Sequence, residues 1–194
     1  MSMRAIQCQV QDFQRADPDF IKKYKRLERE LDDPKKVVDI CIHESGHLIY
    51  WRRAGVPDIK LFGPTVFFDA PTKTFAHFAA SVAPNLQSPQ TAMTIDVMVK
   101  AAVAGAVFSK VVAKNEYRSE IGDMRTLKRI FPPFHWRMQN QTFEDAWKDA
   151  ETAVEQDLNN MNEAFRREIE LTVSEIGSEC FDMSLAWSFG SAPK

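Results

Sequence analysis

The stretch His43-Glu44-Ser45-Gly46-His47 constrains this 194-residue chain more than any other. It reads H-E-x-x-H. On an α-helix, positions i and i+4 share a face, so both imidazoles can reach one point in space. Two histidines placed so can grip a metal ion, and the glutamate beside the first lies next to any water carried there. This is the layout of metal-assisted hydrolysis, with His43 and His47 as ligands and Glu44 as general base. It demands a stiff helix around residues 43–47, a third ligand and a cleft for substrate.

The helix is well delimited. Asp33-Pro34 gives a cap residue and then proline at the first helical position, and Val37, Val38, Ile40, Cys41, Leu48, Ile49 and Trp51 line the helix beyond it. Ala54-Gly55 marks its end, and Pro57 bars continuation. An earlier helix opens the same way at Asp17-Pro18, with Phe20, Ile21, Tyr24, Leu27 and Leu31 at helical spacing. Ile59 to Phe68 and Thr74 to Val82 are rich in β-branched and aromatic residues and read as a hairpin or short sheet, kinked at Gly63-Pro64. Ser88-Pro89 opens a helix running to about Lys114, apolar nearly all round, whose small residues Ala101-Ala102 and Ala104-Gly105-Ala106 permit close approach of a neighbour.

A polar loop, Asn115 to Gly122, leads to a short helix from Asp123 to Ile130, and Phe131 to Asn140 is an aromatic loop. Thr142 with Asp145 matches a capping box. The apolar spacing then persists to Ile176, as one long helix or two joined near Asn159-Asn160, with Gly177 as its end. The expected organisation is a loose arm over residues 1–17, one mainly α domain with a small β-hairpin or sheet over 18–177, and a weakly structured tail over 178–194.

Composition excludes several classes of partner. A net charge of −2 gives no reason to expect nucleic acid or an anionic membrane. The longest apolar stretch, Val97 to Ala113, is broken by Lys100 and Lys110 and is too short for a membrane span. The first residues lack the basic-then-apolar pattern of a signal peptide. Cys8, Cys41 and Cys180 are odd in number and widely spaced, so a disulfide framework is not expected and the cytoplasm is the expected location.

Catalytic zinc centres use three protein ligands plus water. The helix provides two. His77, His135 and many acidic residues are available as the third, and spacing rules leave the choice open. The HExxHxxGxxH pattern is excluded, because Trp51-Arg52-Arg53 stands where its third histidine would be.

His43-Glu44-Ser45-Gly46-His47-Leu48 resembles the H-E-A-G-H-A/T segment of the FtsH-type ATP-dependent zinc proteases. Ala104-Gly105-Ala106-Val107-Phe108 stands where that family has an A-G-R-A-A-E-E stretch. Ile121-Gly122-Asp123-Met124-Arg125-Thr126-Leu127 stands where it has S-N-D-L-x-x-A. The closing helices, with Asp157-Leu158-Asn159-Asn160-Met161-Asn162, also resemble the family's, so the likeness spans roughly residues 34–176. It implies a zincin-like helical metalloprotease domain in which His43, His47 and Asp123 bind Zn2+. The chain departs from the family in three places. Ser109 and Lys110 replace its acidic pair, the S-N pair before the aspartate is missing, and there is no G-x-x-x-x-G-K-[ST] loop for ATP. The expectation is a stand-alone relative of the peptidase domain.

These residues allow two classes of function. The first is a zinc peptidase acting on peptides or unfolded protein, with Glu44 moving the proton, and His77, Tyr117 and His135 as candidate oxyanion donors. Substrate would lie along an exposed edge of the Ile59–Val82 hairpin as an added strand. The second is a non-catalytic, zinc-stabilised module that binds polypeptide or serves as partner of a separate ATPase. Retention of Glu44 favours the first, since a purely structural site does not need it and is usually closed by four ligands rich in cysteine.

Overall fold

Two aspartate–proline steps start the first two long helices. A computed structural model describes residues 5–84, 95–114, 123–125, 127–128, 142–185 and 187–189. Asp17 caps α1 (Pro18–Leu31) by accepting from the Asp19 N–H, and Asp33 caps α2 (Pro34–Arg53) by accepting from the Lys35 and Lys36 N–H groups. In both, proline occupies a position whose N–H would have no helical partner. Helix α2 ends where expected, with Gly55 in the left-handed region at φ 75°.

The hairpin region resolves into four strands, β2 (Ile59–Phe62), β3 (Thr65–Asp69), β4 (Thr74–Phe78) and β5 (Ser81–Pro84). The β2–β5 and β3–β4 ladders share one register, so they are the outer and inner halves of a single long hairpin. The interruption falls at Gly63-Pro64, opposite Ala79-Ala80. Proline has no N–H to offer a ladder there, although its carbonyl accepts from the Gln7 N–H. That bond belongs to β1 (Gln7–Gln9), which pairs parallel with β3, so part of the stretch read as a loose arm lies in the sheet. Nothing in residues 7–9 signals a strand by itself, because β3 supplies the partner.

The closing helices are two, α4 (Phe143–Asn159) and α5 (Glu163–Phe181), with the Thr142–Asp145 capping box in place and Asn162 capping α5. Gly177, expected as the end of the last helix, lies inside it. The left-handed position is taken instead by Asp182 at φ 54°. Gly177 serves close approach: a Cβ there would stand 2.6 Å from Leu185 Cδ1, on the segment that folds back along α5.

The protein is thus mainly helical, with a small mixed sheet. Helix α3 (Ile95–Val111) lies against α2 on one side and α4 on the other, α5 packs on α2, and α1 covers β4. Helix α2 is the centre of this arrangement and is buried nearly all round. Ile42, Leu48 and Ile49 are each 2% exposed or less, and burial of such a side chain contributes about 1.5–3 kcal/mol. No helix among the described residues is long and apolar enough to cross a membrane.

Candidate metal centre

His43, Glu44, Ser45 and His47 are polar groups in the middle of the most buried helix, at 4%, 9%, 0% and 7% exposure. Burying such groups costs free energy unless each finds a partner. Ser45 finds one locally, donating to the Ile42 carbonyl at 2.7 Å. The two histidines find theirs across the interface with α3. Ala101, Gly105 and Ser109 lie at i, i+4 and i+8 on α3 and so form one stripe, and this stripe faces the histidines. His47 Nδ1 donates to the Ala101 carbonyl at 2.8 Å, and His43 Nδ1 lies 3.1 Å from Ser109 Oγ. Between them is Gly105, where a Cβ would collide with both imidazole rings. One step away, a Cβ on Gly46 would stand 2.5 Å from the Ala104 carbonyl oxygen. The expected role of the small residues is therefore met in detail, since glycine on each helix lets the two backbones meet.

With their Nδ1 atoms turned outward, the two rings direct their Nε2 atoms at each other, 3.0 Å apart. Asp123, at the start of a short helical segment, brings Oδ2 to 3.5 Å from each Nε2. A quarter of the Asp123 side chain is exposed, but Oδ2 itself is buried and accepts no well-formed hydrogen bond among the described residues. Glu44 Oε2 accepts from the Val82 N–H of β5 at 3.1 Å. Donor atoms of His43, Glu44 and His47 lie within 4.8 Å of one another and could hold a metal ion.

The donor set fits such an ion. Ligand atoms around one tetrahedral zinc, at bonds of about 2.0–2.2 Å, are separated by about 3.3–3.6 Å. The Nε2, Nε2 and Oδ2 atoms form a triangle of 3.0, 3.5 and 3.5 Å. Asp123 Oδ2 is an orphaned buried acceptor, which a cation would satisfy. The bare Cα of Gly105 leaves open the space that a side chain would take beside the rings.

The electrostatics also favour positive charge at the histidines. Burial alone would push the His47 imidazole down, but the charge and close approach of Asp123, the charge of Glu44 and the Ala101 carbonyl outweigh it and raise the group to about 9. Burial opposes the Asp123 charge, yet the two histidines hold its carboxyl well below the usual range. For Glu44 burial wins. Its carboxyl is raised despite His47, His43 and the Val82 N–H, and Asp123 adds to the rise. A buried carboxylate with increased proton affinity is suited to accept a proton.

Of the residues singled out from the sequence, the fold brings together His43, Glu44, His47 and Asp123. His77 is not with them. It sits on β4 facing α1, with Nε2 4.0 Å from Glu30 Oε2, and burial lowers its pKa. Tyr117 and His135 lie outside the described residues. Sequence reasoning missed the Ala101 carbonyl, the Val82 N–H and the contact of Ser109. Only Ser109 carried a signal, as a lone hydroxyl in an apolar helix. No protein-family model, curated protein or solved structure matches the chain.

Proposed function

We propose that the protein is a zinc-dependent peptidase of zincin-like helical build, with His43, His47 and Asp123 as ligands and Glu44 as general base. The observation that carries this reading is the buried triangle of two Nε2 atoms and Asp123 Oδ2, an oxygen left orphaned among the described residues. Bound there, zinc supplies Lewis acidity, which brings the pKa of a water to about 7 and polarises a carbonyl. The remaining work falls to the chain. The Val82 N–H fixes one end of the Glu44 carboxylate. Glu44 takes a proton from the attacking water and returns it to the leaving amine. Helix α3 keeps the histidine rings in place. A peptide or unfolded segment added as a strand to β5, on the side away from β2, would pass beside Glu44.

The likeness to the FtsH-type peptidase domain supports the same assignment. A separate ATPase that delivers substrate belongs to the proposal as a partner. The three cysteines are free, which fits a reducing compartment such as the cytoplasm. The near-complete burial of His43, Glu44 and His47 favours the alternative, a zinc-stabilised polypeptide-binding module without turnover.

One pair of measurements separates the readings. Purified protein should hold about one zinc per chain, as structural and catalytic zinc sites do. Glu44→Gln should keep that zinc and lose cleavage of an unfolded substrate such as casein. If wild type binds zinc but cleaves neither casein nor a broad peptide library, the peptidase reading fails and the binding module stands.

A further inference from the structure

Ser109 stands apart from the rest of α3. It is the one hydroxyl on an otherwise apolar stretch of that helix, it is 1% exposed, and its Oγ lies 3.1 Å from His43 Nδ1. A buried hydroxyl turned to a ring nitrogen on another helix is costly unless the contact is made. The neighbouring histidine shows what such a contact does. His47 Nδ1 must donate to the Ala101 carbonyl, because a carbonyl only accepts, and so the neutral ring keeps its lone pair on Nε2. Beside His43, Ser109 occupies the equivalent place, two turns further along the same stripe.

We propose that Ser109 is the positioning residue of the centre: its hydroxyl accepts from His43 Nδ1–H and so fixes His43 with Nε2 as the donor towards the ion. This rests on the metal-centre reading. A ligating imidazole gives up the lone pair of one nitrogen, so the neutral ring carries its proton on the other, and that proton needs an acceptor. Ser109 supplies one without adding charge.

The test is zinc binding by the whole chain, measured by competition with a chromogenic chelator, with Ser45→Ala as the matched control. Ser45 is an equally buried serine whose hydroxyl bonds within α2 instead. Ser109→Ala should weaken zinc affinity about 10–100-fold, the range for a lost outer partner of a ligating histidine. Ser109→Thr, which keeps the hydroxyl, should restore most of it, and Ser45→Ala should change nothing. A second readout needs no affinity. In ¹⁵N-resolved spectra of the zinc-loaded protein, the His43 Nδ1–H should be protected from exchange in wild type and exposed to it in Ser109→Ala, while the His47 Nδ1–H, held by Ala101, stays protected in both. Equal zinc affinity of Ser109→Ala and wild type, or an unchanged His43 Nδ1–H, overturns the assignment. If wild type itself takes up no zinc, the metal-centre reading has failed, and this assignment with it. The two failures are told apart by the wild-type titration alone.

Discussion

His43 Nε2 and His47 Nε2 face each other at 3.0 Å inside the protein, a separation that two bare lone pairs would not hold. A hydrogen donated by one ring to the other, or a metal cation bound by both, accounts for it. The charges of Asp123 and Glu44 favour a proton or a cation there.

The competition between proton and cation gives a pH dependence. His47 titrates near 9 in the metal-free protein, so at neutral pH zinc must displace its proton. Zinc affinity should rise by about tenfold per pH unit between pH 6 and 8, with about one proton released, and level off above 9. Calorimetry in buffers of different ionisation enthalpy counts the proton. For stability of the metal-free protein the sign is opposite. A raised imidazole stabilises the fold fully below its unfolded value of about 6.5, and that contribution is lost as pH rises through about 9. A zinc affinity that is flat from pH 6 to 8 would contradict the His47 assignment.

Asp123 separates a ligand from a helix-start acid. As a ligand, its loss removes a direct bond to the ion. Asp123→Ala should therefore cost more zinc affinity than the about 10–100-fold assigned to an outer partner. Zinc analysis after gel filtration is sufficient, and normal zinc content in Asp123→Ala would remove Asp123 from the ligand set.

Gly46 and Gly105 sit at the same helix crossing but should fail differently. A Cβ on Gly46 meets the backbone of Ala104, which cannot swing aside, so α2 and α3 must separate. Overpacking of that kind costs about 1–3 kcal/mol, or roughly 2–4 °C of Tm per kcal/mol at this size. A Cβ on Gly105 meets the imidazole rings first, while alanine gains about 1 kcal/mol of helix propensity over glycine. Gly105→Ala should thus lose zinc binding with a small change in Tm, and Gly46→Ala should lower Tm first. Thermal melts and zinc titrations of both variants check the contrast. A large Tm loss in Gly105→Ala with zinc binding intact would refute it.

The Tyr50–Asp157–Lys100 cluster ties three helices together outside the centre. Tyr50 on α2 donates to Asp157 on α4 at 2.7 Å, and Lys100 on α3 pairs with the same oxygen at 3.0 Å. Burial works against the Asp157 charge, but Tyr50 and Lys100 hold its carboxyl below the usual value. A depressed carboxylate contributes stability above its unfolded value of about 3.9, and that contribution is lost as pH falls through its folded value. Tyr50→Phe should cost about 1 kcal/mol at pH 7, the low end for a bond to a charged group because Asp157 is partly exposed, and less at pH 3. Denaturant melts at the two pH values decide it, and an equal cost at both would show that the charge of Asp157 plays no part.

Much of this protein was legible along the chain because its signals are local. The caps at Asp17, Asp33 and Thr142 act within three residues of themselves, and each appears in the fold. The break at Gly63-Pro64 comes from a missing N–H. Where the expectation and the fold differ, a distant partner is responsible. Strand β1 exists because β3 accepts it, and Gly177 lies within a helix because Leu185 packs on it. His77 looked like any other available histidine until α1 covered β4 and placed Glu30 beside it.

The sequence by itself determined the face shared by His43 and His47 and the adjacent Glu44, because a helix with 3.6 residues per turn leaves no alternative at spacings of one and four. It could not determine what meets that face. That the Nδ1 atoms turn to Ala101 and Ser109, that Asp123 Oδ2 arrives as an orphaned acceptor, and that β5 presents the Val82 N–H to Glu44 were decided by the crossing of α2 and α3 and the elements packed around it. Contacts between residues tens of positions apart depend on how closely two backbones approach, and here two glycines set that distance.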